Sequence, residues 1–195
     1  QLSMLLKRYN INHMEIEREK ILVARAKLEP EAFGELYEEY YSRIFGYVLR
    51  RTANLQLAQD ITSEVFFKAL KGINNFYWRG ISFSSWLYRI ASNEIANSYR
   101  RNVNDYEYLQ EIRTSPLSQD YISAELELRK NEEYQTLWEG ISRLPLKYQE
   151  VITLKYFEDK ELKEIVEILR KPEGTVKSLL HRGIEKLRST LGRGG

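Results

Sequence analysis

Apolar residues recur along this chain at steps of three and four, in runs separated by short polar breaks. Between positions 31 and 52 they are Phe33, Leu36, Tyr37, Tyr40, Ile44, Tyr47 and Val48. That series predicts a helix with one buried face. Upstream, residues 17–27 predict a helix with Ile21, Leu22 and Ala26 inward, and Pro30 after it is suited to open the next one. After the turn "TANLQ", residues 56–71 predict a third helix closed by Gly72. Its Ala58, Ile61, Thr62, Val65, Phe66 and Ala69 share one side, and Asp60, Ser63, Glu64, Phe67 and Lys71 share the other. The run "INNFYWRGISF" breaks the period and predicts a loop. Ser84 or Ser85 then caps a helix running to Arg101. On that helix Trp86, Leu87 and Ile90 are core by spacing, and Tyr88, Arg89, Ser92, Asn93, Tyr99 and Arg100 form the outer side. These helices can enclose one core, so residues 14–102 read as a domain, preceded by a leader over 1–13 with Met14 as a candidate start.

Residues 103–122 lack sustained periodicity, include Pro116, and read as an acidic, flexible linker. The helical pattern returns over 123–143, 147–157, 160–169 and 173–191, with Pro145 and Pro172 near two of the starts, so residues 123–195 read as a second domain. The fold class is therefore all-α: two small helical domains joined by a flexible acidic linker.

Composition narrows the functions. Cysteine is absent from the 195 residues, which excludes disulfides and thiolate metal sites. With two histidines and no glycine-rich phosphate loop, no catalytic or metal-binding constellation appears, so neither an enzyme nor a bound cofactor is expected. No apolar run approaches the ~20 residues of a membrane span, so no direct membrane insertion is expected, and the absence of cysteine fits a cytoplasmic protein. The net charge of +2 hides a division: residues 103–135 carry −5 and residues 170–195 carry +5.

The basic end gives the first candidate chemistry. Leu162, Ile165, Val166 and Leu169 share one face of a short helix, and a break follows at Arg170, Lys171 and Pro172. In the next helix Val176, Leu179, Leu180, Gly183, Ile184 and Leu187 form a stripe opposite Lys177, Ser178, His181, Glu185 and Arg188, with Arg182 on the flank. Two amphipathic helices joined by a tight turn, the second with cations outward, describe a DNA-reading helix-turn-helix. Gly174 and Thr175 in its first turn let backbone N–H groups approach a phosphate. A plain αα-hairpin with solvated cations is the alternative.

Two features of the first domain are candidates for binding. Phe67 falls among carboxylates on the outer side of its helix, as an anchor within a polar rim would. An isolated exposed aromatic can also be incidental. In the loop, Phe76, Tyr77 and Trp78 precede Arg79 and Gly80. Phe76 is expected to pack beneath the loop, and aromatics beside a cation suit the stacking of unpaired bases. Arg100 and Arg101 suit phosphates or merely complement a helix C-terminus.

With these residues in place, the chain resembles the extracytoplasmic-function (ECF) group of bacterial RNA polymerase sigma factors. The resemblance lies in "AFGELYEEYYSRIFGYVLRR", "AQDITSEVFFKAL" and "FSSWLYRIASNEIANSYRR" for the family's region 2. For region 4 it lies in Leu144-Pro145, the Gly174-Thr175-Val176-Lys177-Ser178 core and the closing Leu187-Arg188. It implies a protein that binds core RNA polymerase and promoter DNA to direct transcription initiation, with a cognate anti-sigma factor as a further partner. It assigns core polymerase contacts to Asp60, Ser63, Glu64 and Phe67. It assigns −10 recognition and melting to Tyr77, Trp78, Arg79, Ser92, Asn93, Asn97, Arg100 and Arg101. Readout of the −35 duplex falls to Gly174, Thr175, Lys177, Ser178, His181 and Arg182. The chain departs from the family at Ser63 (usually Gln), Ser92 (Arg), Asn97 (Asp), Leu179 (Arg), Arg170 (Gly) and Pro172 (Ser). The last two predict a turn less stable by about 1 kcal/mol each. A regulator that binds duplex DNA alone would need a ligand or receiver domain in place of 14–102, and no strand pattern for one is present. A helical adaptor would leave the aromatic loop unexplained.

Overall fold

The computed structural model describes residues 16–78, 81–102 and 132–192. The leader, the linker 103–122, the helical pattern over 123–131, and Arg79 and Gly80 lie outside the described residues. The first domain holds α1 (residues 16–28), α2 (Ala32–Thr52), α3 (Leu55–Gly72), a single 3₁₀ turn (Ile73–Asn75) and α4 (Phe83–Asn102). The second holds α5 (Glu132–Ser142), α6 (Leu146–Ile152), α7 (Leu162–Leu169) and α8 (Glu173–Leu191), with a π turn (Thr153–Phe157) continuing α6.

Local chemistry explains most of the boundaries. Ala53 takes a left-handed conformation at φ 52° and stops α2, and Asn54 caps α3 by accepting the N–H of Leu57 at 2.8 Å. The cap of α4 is Ser82, not Ser84 or Ser85: its hydroxyl oxygen accepts the N–H of Ser85 at 3.0 Å, and both later serines are buried. At the turn before α8, Arg170 is left-handed at φ 51°, where the family's glycine would be unstrained. Pro172 supplies no side-chain cap. These are the two positions at which the sequence reading expects a less stable turn.

The first core is deep. Leu36, Ile44, Tyr47, Val48, Val65 and Phe83 are sealed from solvent. On α3 the six positions expected inward are the six that are buried. The expectation fails at two places. Ile21 is 63% exposed while Val23, beside Leu22 and Ala26, takes the inward place on α1; Tyr37 is half-exposed. The second domain is thinner. On α8 only Val176 and Gly183 are buried, and the rest of its stripe is half-covered. Gly183 permits the close approach of α6, since a Cβ there would stand 3.1 Å from Ile152 Cδ1.

The two domains dock. α4 packs on α7, and α2 meets the π turn. Glu158 is the centre of the seam. Its carboxylate accepts from Arg50 Nη2 at 2.5 Å and from the Tyr88 hydroxyl at 2.5 Å. Around it Arg89 donates to the Glu167 carbonyl at 2.6 and 3.0 Å, Lys160 to the Ser84 hydroxyl at 3.0 Å, and Ser85 to Glu164 at 3.0 Å. Arg51 lies 3.7 Å from Glu150. Burial, and after it the Glu158 charge, raise the Tyr88 pKa well above the usual phenol value, so this hydroxyl stays a donor.

Candidate nucleic-acid interface

α8 presents its polar row to solvent. Gly174, Thr175, Lys177, His181 and Arg182 are exposed and Ser178 is half-exposed. The stripe beneath, with Val176 at its centre, seats the helix on α6 and α7. Lys177 pairs with Glu173 at 2.5 Å, and His181 Nδ1 lies 3.4 Å from Glu185. The hydrogen bond from Lys177 holds the Glu173 pKa below the ordinary carboxylate value. Among the described residues no carboxylate stands within ion-pair distance of Arg182. It is thus the cation of this row most available to a phosphate or a base edge.

The aromatic loop is rooted in the first core. Phe76 is buried against Phe83 and Trp86, with ring centroids at 5.6 and 5.0 Å. Trp78 meets the Phe76 ring edge-on at 5.7 Å and is half-exposed. Tyr77 points outward at 65% exposure. This matches the division of labour expected inside "FYW": one anchor and two residues with free ring surface.

On α4 the structure separates residues that the sequence had grouped. Asn93, Arg100 and Arg101 are exposed. Asn97 is half-buried, donating to Glu94 at 3.2 Å and accepting from Arg100 at 2.7 Å. Ser92 is a correction: it is 6% exposed and shares a 2.8 Å hydrogen bond with the Tyr47 hydroxyl. Tyr88 is likewise buried, and Tyr99 donates inward to the Arg51 carbonyl at 2.6 Å. The outer-side expectation assumed one buried face. α4 has more than one: Ser92 and Tyr99 face α2, and Tyr88 lies between Tyr47 of α2 and Glu158 of the second domain.

The outer side of α3 is as expected. Asp60, Ser63 and Phe67 are exposed and Glu64 is half-exposed, with Phe67 at 50%. Lys71 covers part of the Phe67 ring at 4.1 Å. Leu70, not singled out by the sequence reading, adds a second exposed apolar residue one turn on. Sequence reasoning also missed α1 as a support of the aromatic loop. One signal was present: Glu19 sits in the i, i+3, i+4, i+7 stripe of Leu22, Val23 and Ala26, where a charge needs partners. Among the described residues no helix is long and apolar enough to cross a membrane.

Two family descriptions match the chain: Sigma-70 region 2 over residues 36–104, and Sigma-70 region 4 over residues 134–187. The chain is 35% identical over 185 residues to the ECF RNA polymerase sigma factor SigW of Bacillus subtilis (strain 168), covering 91% of this chain and 98% of that protein. It is 32% identical over 162 residues to the RNA polymerase sigma factor YlaC of the same organism, covering 83% and 92%. Among solved structures, CnrH in complex with the cytosolic domain of CnrY has the same fold, with TM-score 0.67 at 20% identity over 91% of this chain and 99% of that one.

Proposed function

Because the chain belongs to the extracytoplasmic-function group of RNA polymerase sigma factors, we propose that its two exposed surfaces divide promoter recognition between single-stranded and duplex DNA. The protein is a promoter-specificity factor that binds core RNA polymerase and directs transcription initiation. In this reading α8 enters the major groove of the −35 element. Lys177, Ser178, His181 and Arg182 face base edges and phosphates, and the N–H groups near Gly174 and Thr175 meet the backbone. The aromatic loop encloses an unstacked base of the −10 element between Tyr77 and Trp78, with Asn93, Arg100 and Arg101 along the strand. Phe67 and Leu70, rimmed by Asp60, Ser63 and Glu64, dock on the polymerase. The reading extends to a cytoplasmic protein restrained by a cognate anti-sigma factor.

The observation that carries this division is the outward polar row of α8 set on a helix-turn-helix, in one chain with a core-rooted aromatic loop. The test is transcription in vitro with core polymerase over a promoter library. New start sites preceded by two fixed motifs are expected. Unchanged start sites, or failure of the polymerase to retain the protein, would overturn the reading.

A further inference from the structure

The aromatic loop leaves the core at Phe76 and rejoins it where α4 begins. Both points are held by one helix, α1, which belongs to neither neighbouring element. At the first point Lys27 Nζ donates to the Phe76 carbonyl at 2.5 Å and lies 5.0 Å from the Tyr77 ring centroid. At the second, Glu19 Oε1 accepts the N–H of Ser84 at 2.8 Å. The same oxygen accepts the Tyr40 hydroxyl at 2.7 Å, which fixes Glu19 to α2 as well. Between the two, Lys20 Nζ stands 5.6 Å from the Trp78 centroid and pairs with Glu17 at 2.6 Å. Eight residues of helix separate the two grips, about 12 Å along the axis at ~1.5 Å per residue.

The Glu19 contact is an unusual cap. The first N–H groups of a helix lack intrahelical partners and are ordinarily met by a side chain just upstream. Here Ser82 meets one of them, and another is met by a carboxylate 65 positions away. Glu19 is only 7% exposed, and burial raises its pKa from the usual carboxylate value. A position on α1 facing the core would be cheaper to fill with an apolar side chain, as Leu22, Val23 and Ala26 do. Tying α1 to α2 would account for the Tyr40 bond alone. It accounts neither for the bond to Ser84 nor for a lysine on the same helix gripping the other end of that loop.

The geometry points to α1 as a two-point bracket that presets the aromatic loop for base capture, with Lys27 and Glu19 as positioning residues. The inference rests on the reading that Tyr77 and Trp78 receive an unstacked base. A loop held at both ends presents its rings without first losing conformational freedom, so binding is stronger for the same contacts. Lys27 acts on Tyr77 through the Phe76 carbonyl and the ring face, not by touching DNA.

The test uses the full chain bound to core polymerase and a single-stranded −10 oligonucleotide, with 2-aminopurine fluorescence at the captured base. Lys27→Met should weaken capture about tenfold, equivalent to about 1.4 kcal/mol. Lys27→Arg, which keeps a donor near Phe76, should recover most of the loss. Glu19→Gln, which keeps an acceptor, should lie between wild type and Lys27→Met. Affinity for core polymerase and for a −35 duplex should not change. The salt slope of capture should also be unchanged by Lys27→Met, whereas a phosphate-contacting lysine would lower it by about 1. Normal capture by Lys27→Met overturns the bracket, as does a lowered salt slope. An equal loss of core affinity also overturns it, by showing a purely structural role. A Tyr77→Ala, Trp78→Ala double variant separates the two levels. If it captures normally, the base-capture reading itself fails; if it does not while Lys27→Met does, only the bracket fails.

Discussion

The two surfaces proposed to face DNA are built in opposite ways. On α8 the reading groups stand on a regular helix whose backbone is satisfied from within, and the domain below is thin. Its stripe is mostly half-covered, with Val176 and Gly183 alone buried. In the first domain the two aromatic reading groups, Tyr77 and Trp78, stand outside regular structure. The aromatic loop depends on a deep core, on Phe76 as an anchor, and on bonds from α1. A helix face needs little beneath it to keep its geometry. A loop borrows its shape from everything around it. The first domain therefore invests burial where the second relies on periodicity.

Core truncation breaks the comparison most sharply. Leu36 is sealed, so Leu36→Ala should cost about 3 kcal/mol. Leu180, half-covered on α8, should cost about 1 kcal/mol on the same change. Thermal unfolding of the two variants measures the difference, and equal costs would mean that the second core is as deep as the first.

Next in size is Arg182→Ala. No carboxylate of the described residues pairs with Arg182, so its removal should leave the melting temperature within experimental error. Affinity of the holoenzyme for a −35 duplex should fall roughly tenfold, within the ~1–3 kcal/mol of a base-edge contact. An unchanged affinity removes Arg182 from the groove.

Glu158 sharpens the relation between the two domains. In the proposed reading the two domains engage separate promoter elements, and this seam is what holds them together in the free protein. Glu158→Ala leaves Arg50 and Tyr88 without their shared acceptor across the seam. It should raise the mean distance between labels on α3 and α8 in the free protein, read by energy transfer. It should spare the stability of the first domain, whose core Glu158 does not enter. The smallest effect is Arg170→Gly, which relieves a left-handed arginine and should stabilise the second domain by about 1 kcal/mol in denaturant unfolding.

Much of this was legible in the residues. The inward side of α3, the exposed Phe67, the polar row of α8 and the buried Phe76 all follow from spacing, because each is set by a local repeat or by a contrast between neighbours. Two of the misreadings share a cause. Ser92 and Tyr88 were placed outward on the premise of one buried face, but Ser92 turns to Tyr47 on α2, and Tyr88 lies between Tyr47 and Glu158. The choice of Ser82 over Ser84 as the α4 cap turned on where the core begins, which the run of serines leaves open.

By itself the sequence determined the helices, their inward faces, the all-helical class and the family, since helical period and turn chemistry act over a few residues. Tertiary structure alone decided three things: the grip of α1 on the aromatic loop, the inward turn of Ser92, and the seam at Glu158. Each joins groups far apart in the chain, 49 and 65 positions at the loop, 45 at Ser92, and 70 and 108 at Glu158. A hydrogen bond across such a distance imposes no period on the residues between its partners, so nothing local records it.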